Sequence, residues 1–191
     1  MTEKARQAWR VALKKLVLSI VPSVRVLVLA VSALVLMAAG PPNLLTVRTA
    51  RVSVRYPQGW HATARPLTAV TYPPQRLVIA SYPLRQQGED SDCAPVTALA
   101  GMPGNGALII VIEYAQPSPF GPVRRSDFPP RPKRFALGGF GRYECFGPSY
   151  RLVFREAGRF FQVHVAFGVR AGSPIRAVVL RILDSFSAKP L

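Results

Sequence analysis

Apolar and polar residues alternate in RVSVRYP, where Val52, Val54 and Tyr56 interleave with Arg51, Ser53 and Arg55. A period of two is the mark of a strand with one buried face. The turn YPQGW follows, and HATARP continues from it. RLVIASYPL, residues 76–84, reads as a second strand, and PVTALAG, residues 95–101, as a short helix. GALIIVIEYA, residues 106–115, is apolar at nearly every position, which predicts a central strand covered on both faces. In SYRLVFREAGRFFQVHVAFG, residues 149–168, two strand-like runs meet at Ala157-Gly158. A two-residue turn there sets Glu156 opposite Arg159, Phe154 opposite Phe161, Leu152 opposite Val163 and Tyr150 opposite Val165. That face is expected in the core, while the other pairs Val153 with Gln162 and Arg151 with His164. At the C-terminal end Ser173 is placed to cap a helix and Pro174 to take its first position. Ile175, Val178, Val179, Ile182, Leu183 and Phe186 form one apolar stripe on that helix, suited to lie across a sheet. No internal repeat is present. The fold class that results is α+β, an antiparallel β-sheet with a C-terminal helix packed on it.

A different pattern precedes this domain. Residues 26–39 are fourteen positions without a charge, behind Lys4, Arg6, Arg10, Lys14, Lys15 and Arg25. Cations before an apolar run keep the N-terminus in the cytoplasm. The expected organisation is a cytoplasmic basic tail and amphipathic lead-in over 1–25, a signal-anchor or transmembrane helix over 26–40, and an extracytoplasmic α+β domain over 43–191. Fourteen residues are fewer than the roughly 20 needed to span a bilayer. The preceding LVLSIVPSV lengthens the run if Pro22 is tolerated and Arg25 reaches the interface along its own stem. Cleavage is disfavoured, because a cut after Ala39 puts Met37 where a small residue is wanted, and a cut after Gly40 meets Pro41. A retained anchor, single-pass with the C-terminal domain outside, is therefore preferred over secretion after signal cleavage. A buried core helix is the remaining alternative.

Export changes the meaning of the charge. The chain carries +16 in 191 residues, and beyond residue 25 there are nineteen cations against eight carboxylates, a balance of +11. All but two of those nineteen cations are arginine, which makes planar two-point contacts with phosphate or carboxylate. On the outer side of a membrane no nucleic acid is expected. An anionic envelope polymer or a lipid headgroup remains, along with the bilayer itself through the N-terminal helix. The cationic stretch lies in QPSPFGPVRRSDFPPRPKRF, residues 116–135, whose six prolines stiffen the chain toward polyproline geometry. Arg124, Arg125, Arg131, Lys133 and Arg134 are the candidate binding residues. Phe120, Phe128 and Phe135 are expected to staple the loop to the body.

Catalytic patterns are sparse. No G-x-S-x-G elbow, H-E-x-x-H or C-x-x-C occurs, so no catalytic residue, metal site or cofactor is assigned. Cys93 and Cys145 are the only cysteines, and in an oxidising compartment they are expected to form a disulfide. The alternative is a thiol nucleophile with His61 or His164 as base. Glu89, Asp90 and Asp92 share one polar loop and read as solvated. Glu113, a carboxylate inside an apolar strand, requires a partner, and an arginine is expected rather than a raised-pKa acid.

YPQGW, PRPKRF, FREAGRFFQVHVAFG and the closing RILDSF resemble uncharacterised exported, membrane-anchored proteins of actinobacterial type. The Y-P-x-G-W turn and final helix loosely resemble the PsbP-like sandwich, an antiparallel sheet between helices. The resemblance covers residues 51–186 and implies an accessory or binding module, with no catalytic residue carried over. The expected function is thus a membrane-anchored extracytoplasmic binding or accessory module. A small envelope hydrolase or thiol enzyme is one alternative, and a structural subunit of a membrane complex another. Intact-mass measurement on membrane and soluble fractions is expected to find the full chain in the membrane fraction, two hydrogens short of its reduced mass. A truncated soluble species overturns the anchor, and a fully reduced mass overturns the disulfide.

Overall fold

The computed structural model describes residues 43–49, 51–84, 93–115, 118–119 and 121–190. The expected tail and signal-anchor, the loop with Glu89, Asp90 and Asp92, and Phe120 lie outside the described residues. No helix among the described residues is long and apolar enough to cross a membrane.

Strand β1 (Leu44–Arg48) pairs with β2 (Val52–Pro57), and β2 also pairs with the short C-terminal β9 (Ser187–Ala188). These three form a small antiparallel sheet. The larger sheet has six strands in the order β3-β4-β5-β8-β7-β6: β3 (His61–Thr63), β4 (Gln75–Ala80), β5 (Ala107–Tyr114), β8 (Arg159–Phe167), β7 (Gly147–Glu156) and β6 (Phe140–Tyr143). Every pairing between them is antiparallel. Helix α1 (Val96–Ala100) leads into β5, and helix α2 (Ser173–Asp184) follows β8. The α+β class, with an antiparallel sheet and a C-terminal helix on it, is thus present.

The β7–β8 hairpin has the expected register, with Glu156 opposite Arg159, Phe154 opposite Phe161 and Arg151 opposite His164. Its turn places Ala157 at φ 52° and Gly158 at φ 77°, the two positive values that a type I′ turn requires to match the strand twist. Strand β5 lies inside the sheet between β4 and β8 and is buried from Ala107 to Glu113. Strand β4 stops at Ala80, four residues earlier than the apolar run suggests. Helix α2 begins one residue earlier than expected. Gly172, in extended conformation, holds the cap position without a side-chain hydrogen bond, and Ser173 is already helical.

The two faces of the large sheet are covered differently. On the first face, Leu77, Ile79, Ile109, Val111, Phe154, Phe161, Val163 and Val165 meet Val52 and Val54 of the small sheet and Val179, Ile182 and Leu183 of α2. Phe186, just past α2, stands edge-on to Phe154 and Phe161 with centroids 5.1 and 5.0 Å away. Full burial of each such side chain contributes about 1.5–3 kcal/mol. On the second face, Val78, Ala80, Leu108, Ile110, Ile112 and Ala166 are covered by α1 and by loops that carry Leu67, Tyr82 and Phe146.

At the end of the first face lies a charged cluster. Glu113 of β5 accepts two hydrogen bonds from Arg159 of β8, from Nε and Nη2, each at 2.6 Å, and one from Arg76 Nε at 2.7 Å. Arg159 is 2 % exposed, and its Nη1 donates to the carbonyls of Arg51 at 2.7 Å and Lys189 at 3.3 Å. One guanidinium therefore ties the large sheet to both strands flanking the small-sheet edge. Burial pushes the Glu113 carboxyl up, but the hydrogen bonds and charge of Arg159 and then Arg76 outweigh it, so its pKa lies below the ordinary value. The expected arginine partner is thus found, in duplicate.

Glu113→Gln leaves Arg159 buried without its counter-charge, and is expected to cost about 3–5 kcal/mol of stability. The readout is a lower urea midpoint at unchanged slope. Glu113→Leu with Arg159→Met is expected to recover part of that loss. Because the folded pKa is depressed, the pair stabilises fully above the ordinary carboxylate range and loses its contribution as pH falls through the folded value. A Glu113→Gln loss below about 0.5 kcal/mol, the scale of ordinary surface substitutions, contradicts the lock.

Candidate functional site

The proline-rich loop is fastened to the body along its length. Arg155 of β7 donates its backbone N–H to the Pro129 carbonyl at 2.8 Å, and Arg131 donates to the Arg155 carbonyl at 2.9 Å. Pro130 between them forms a bridge with Arg155, at a position where a missing N–H is harmless. Phe128 is buried between Tyr114 and Phe160, and Phe135 against Phe154. These two act as the expected staples. Asp184, at the C-terminal end of α2, accepts from the Phe135 N–H at 2.7 Å through its carboxylate and from Arg131 Nη2 at 2.6 Å through its carbonyl.

Arg131 therefore turns inward. Its guanidinium lies over the Phe135 ring, 5.3 Å from the centroid, and within 3.9 Å of the Glu156 carboxylate. A cation at a helix C-terminus is favourably placed against the helix dipole, and Arg131 is best read as part of the fastening. Arg124, Arg125, Lys133 and Arg134 are exposed. The loop thus presents four cations from a backbone held at Phe128, Pro130 and Phe135.

A recess opens on the second face of the large sheet. Cys93 and Cys145 are bonded, which joins the lead-in to α1 with the turn between β6 and β7. That turn sets Phe146 flat on His164, with ring centroids 3.8 Å apart and planes 17° from parallel. Tyr143 meets the same imidazole edge-on at 5.2 Å. The resulting cavity of about 220 Å³ is lined by Ile112, Tyr114, Tyr143, Phe146, Gln162 and His164, among others, with the disulfide in its wall. A wider cleft adjoins it, sharing Tyr114 and Gln162 and reaching Arg124, Asp127 and Phe128 of the loop and Arg151 of β7. The Arg151 guanidinium lies over the Tyr143 ring at 5.0 Å.

A chain of hydrogen bonds runs along the floor. Burial raises the Tyr114 pKa, and its neutral hydroxyl donates to Gln162 Oε1 at 3.2 Å. The Gln162 amide nitrogen is 2.6 Å from His164 Nε2. An amide nitrogen only donates, so Nε2 accepts and the ring proton sits on Nδ1. Nδ1 faces Ser149 Oγ at 3.3 Å. A protonated ring sets two donors against each other at Nε2. Burial first, and the charge of Arg151 second, push the His164 pKa down from 6.5 to about 4.

This arrangement does not assemble a nucleophile. Both cysteines are disulfide-bonded and none is free, and His164 addresses Ser149 and Gln162 rather than sulfur. Ser149 is 1 % exposed and cannot be reached by a substrate. Among the described residues no group of three or more His, Cys, Asp and Glu could hold a metal ion. The recess has aromatic walls, a floor of hydrogen bonds and arginine in the adjoining cleft. The hairpin register already placed Arg151, Val153, Gln162 and His164 on one face. The Cys93–Cys145 pairing was expected; what the sequence did not show is that the turn carrying Cys145 lays Phe146 and Tyr143 against His164 on that face. No protein-family model, curated protein or solved structure matches this chain.

His164 binds no proton in the folded state until about pH 4, whereas its unfolded counterpart does so near 6.5. Its contribution to stability is full above pH 6.5 and is lost as pH falls toward 4, on the order of 3 kcal/mol over that window. Proton NMR is expected to show the His164 ring neutral at pH 5, and His164→Gln to flatten the slope of stability against pH between 6.5 and 4. A His164 midpoint near 6.5 overturns the assignment.

Proposed function

We propose that the protein is a membrane-anchored extracytoplasmic binding or accessory module whose proline-rich loop docks on an anionic component of the cell envelope. The observation that carries this reading is the fastened loop: Arg124, Arg125, Lys133 and Arg134 are exposed while Phe128 and Phe135 are buried beneath them. A cationic surface that is already ordered loses little conformational freedom when it binds. The excess of arginine suits two-point contact with phosphate or carboxylate. The apolar run over residues 26–40 supports the anchor, with the N-terminus inside and the domain outside. The bonded cysteine pair fits an oxidising compartment.

Docking of this kind is electrostatic and weakens with salt. The full chain, held in nanodiscs of neutral lipid, is expected to bind phosphatidylglycerol vesicles or soluble polyphosphate at low salt and to lose at least about tenfold in affinity between 50 and 200 mM salt. Reversing Arg124, Arg125, Lys133 and Arg134 to glutamate is expected to abolish the interaction without shifting the melting temperature. Binding that ignores salt, or that survives the four reversals, rules the loop out as the docking surface.

A further inference from the structure

We infer that the recess beside the disulfide is a binding site for a small aromatic anion, a ligand of one or two rings carrying a carboxylate or phosphate. The site shares only Arg124 with the cationic face of the loop and stands whether or not that face docks on the envelope. Three observations carry it. The first is size: the cavity of about 220 Å³ accommodates one or two rings, since a cavity of about 150 Å³ holds a benzene.

The second is the character of the wall. Tyr114, Tyr143, Phe146 and His164 surround the space, and their rings are held by one another and by the turn that Cys145 pins. Offset and edge-to-face contacts with such rings favour an aromatic guest over an aliphatic one of equal area. Ile112 and the disulfide supply the remaining apolar surface. The walls are fixed beforehand, so binding orders few side chains.

The third is charge. Arg151 stands on β7 beside the Tyr143 ring and lines the cleft that continues the recess, as does Arg124. Glu144 lies on the exposed rim of the recess and Asp127 on the exposed side of the cleft, so the local count of formal charges is even. Position breaks the tie. Arg151 is the cross-strand neighbour of His164 and its guanidinium lies 5.0 Å from the centroid of the Tyr143 ring, so its charge stands beside the recess floor and favours an anion there, as it disfavours a proton on His164. His164 is neutral and its two ring nitrogens are already engaged with Gln162 and Ser149, so it neither repels nor neutralises the guest. The domain as a whole adds a positive background of nineteen cations against eight carboxylates.

Three probes of similar shape separate the possibilities: phenyl phosphate, benzyl alcohol and benzyltrimethylammonium. Each is titrated into the full chain in neutral nanodiscs, with empty nanodiscs as the blank, and followed by NMR shifts of the His164 and Tyr114 rings. Phenyl phosphate is expected to bind at least tenfold tighter than benzyl alcohol, with the ammonium weakest. Arg151→Gln is expected to erase the advantage of the anion and leave benzyl alcohol unchanged. Val70→Trp, which fills the rim of the recess, is expected to remove binding of all three, and it serves as the independent check should Arg151→Gln fail to fold. The four glutamate reversals on the loop include Arg124, so they are expected to weaken phenyl phosphate only in part while abolishing vesicle docking. The proposal is overturned by preference for the ammonium, by equal binding of all three, by binding that Val70→Trp leaves intact, or by no shift at His164 and Tyr114.

Discussion

A buried guanidinium holds this domain together at the point where its two sheets approach. Arg159 spends every nitrogen: two donate to Glu113, and the third donates to carbonyls of Arg51 and Lys189. Apolar packing between Val52, Val54, α2 and the large sheet supplies most of the driving force, but it is non-directional. The arginine fork specifies how far and at what register the small sheet lies against the large one. A buried ion pair is weak evidence for stability in itself, since desolvation offsets much of its attraction. Its role here is positional, because only one placement of Arg51 and Lys189 satisfies the remaining donor.

Fixing the first face leaves the second face free to differ. The first face is closed by a helix with an apolar stripe and by the small sheet. The second face is closed by a five-residue helix, by loops and by one disulfide. Loops seldom fill a flat sheet completely, and the recess over Ile112, Gln162 and His164 is what remains. Its polar floor is tolerable because each group has a partner, from Tyr114 through Gln162 and His164 to Ser149. Left unsatisfied, the buried Ser149 and His164 would each cost about 1–3 kcal/mol.

Much of the fold was legible in the sequence. The alternation on either side of Ala157-Gly158 determined the hairpin register, because a slip of one residue would turn Phe154 and Phe161 to the wrong face. The stripe of α2 and the unbroken apolar run of β5 were equally direct. Which arginine would answer Glu113 was not legible. Arg159 lies opposite Glu156 in the hairpin, and cross-strand proximity points to that pair. In the folded chain Glu156 instead approaches Arg131 and accepts from the Ala188 N–H, while Arg159 reaches to β5. Long-range choices of this kind depend on sheet order, which no local pattern carries. The inward turn of Arg131 escaped notice for the same reason: in the sequence it is one of five cations in a row of prolines, and only the position of Asp184 at the end of α2 distinguishes it. The recess was half visible, in that one face of the hairpin carried Arg151, Gln162 and His164, but its roof arrives from two loops that are 52 residues apart.

The segment around Pro130 has one more effect. It occupies the flank of β7 that β6 does not reach, and β7 is the longest strand of the sheet. An uncovered flank of that length is a template on which a second copy could add a strand of its own. Pro129, Pro130 and Pro132 have no amide hydrogen to offer such a visitor, and the neighbouring cations repel an identical chain. The same prolines that stiffen the loop thus leave that flank of β7 a poor template for edge-to-edge strand addition.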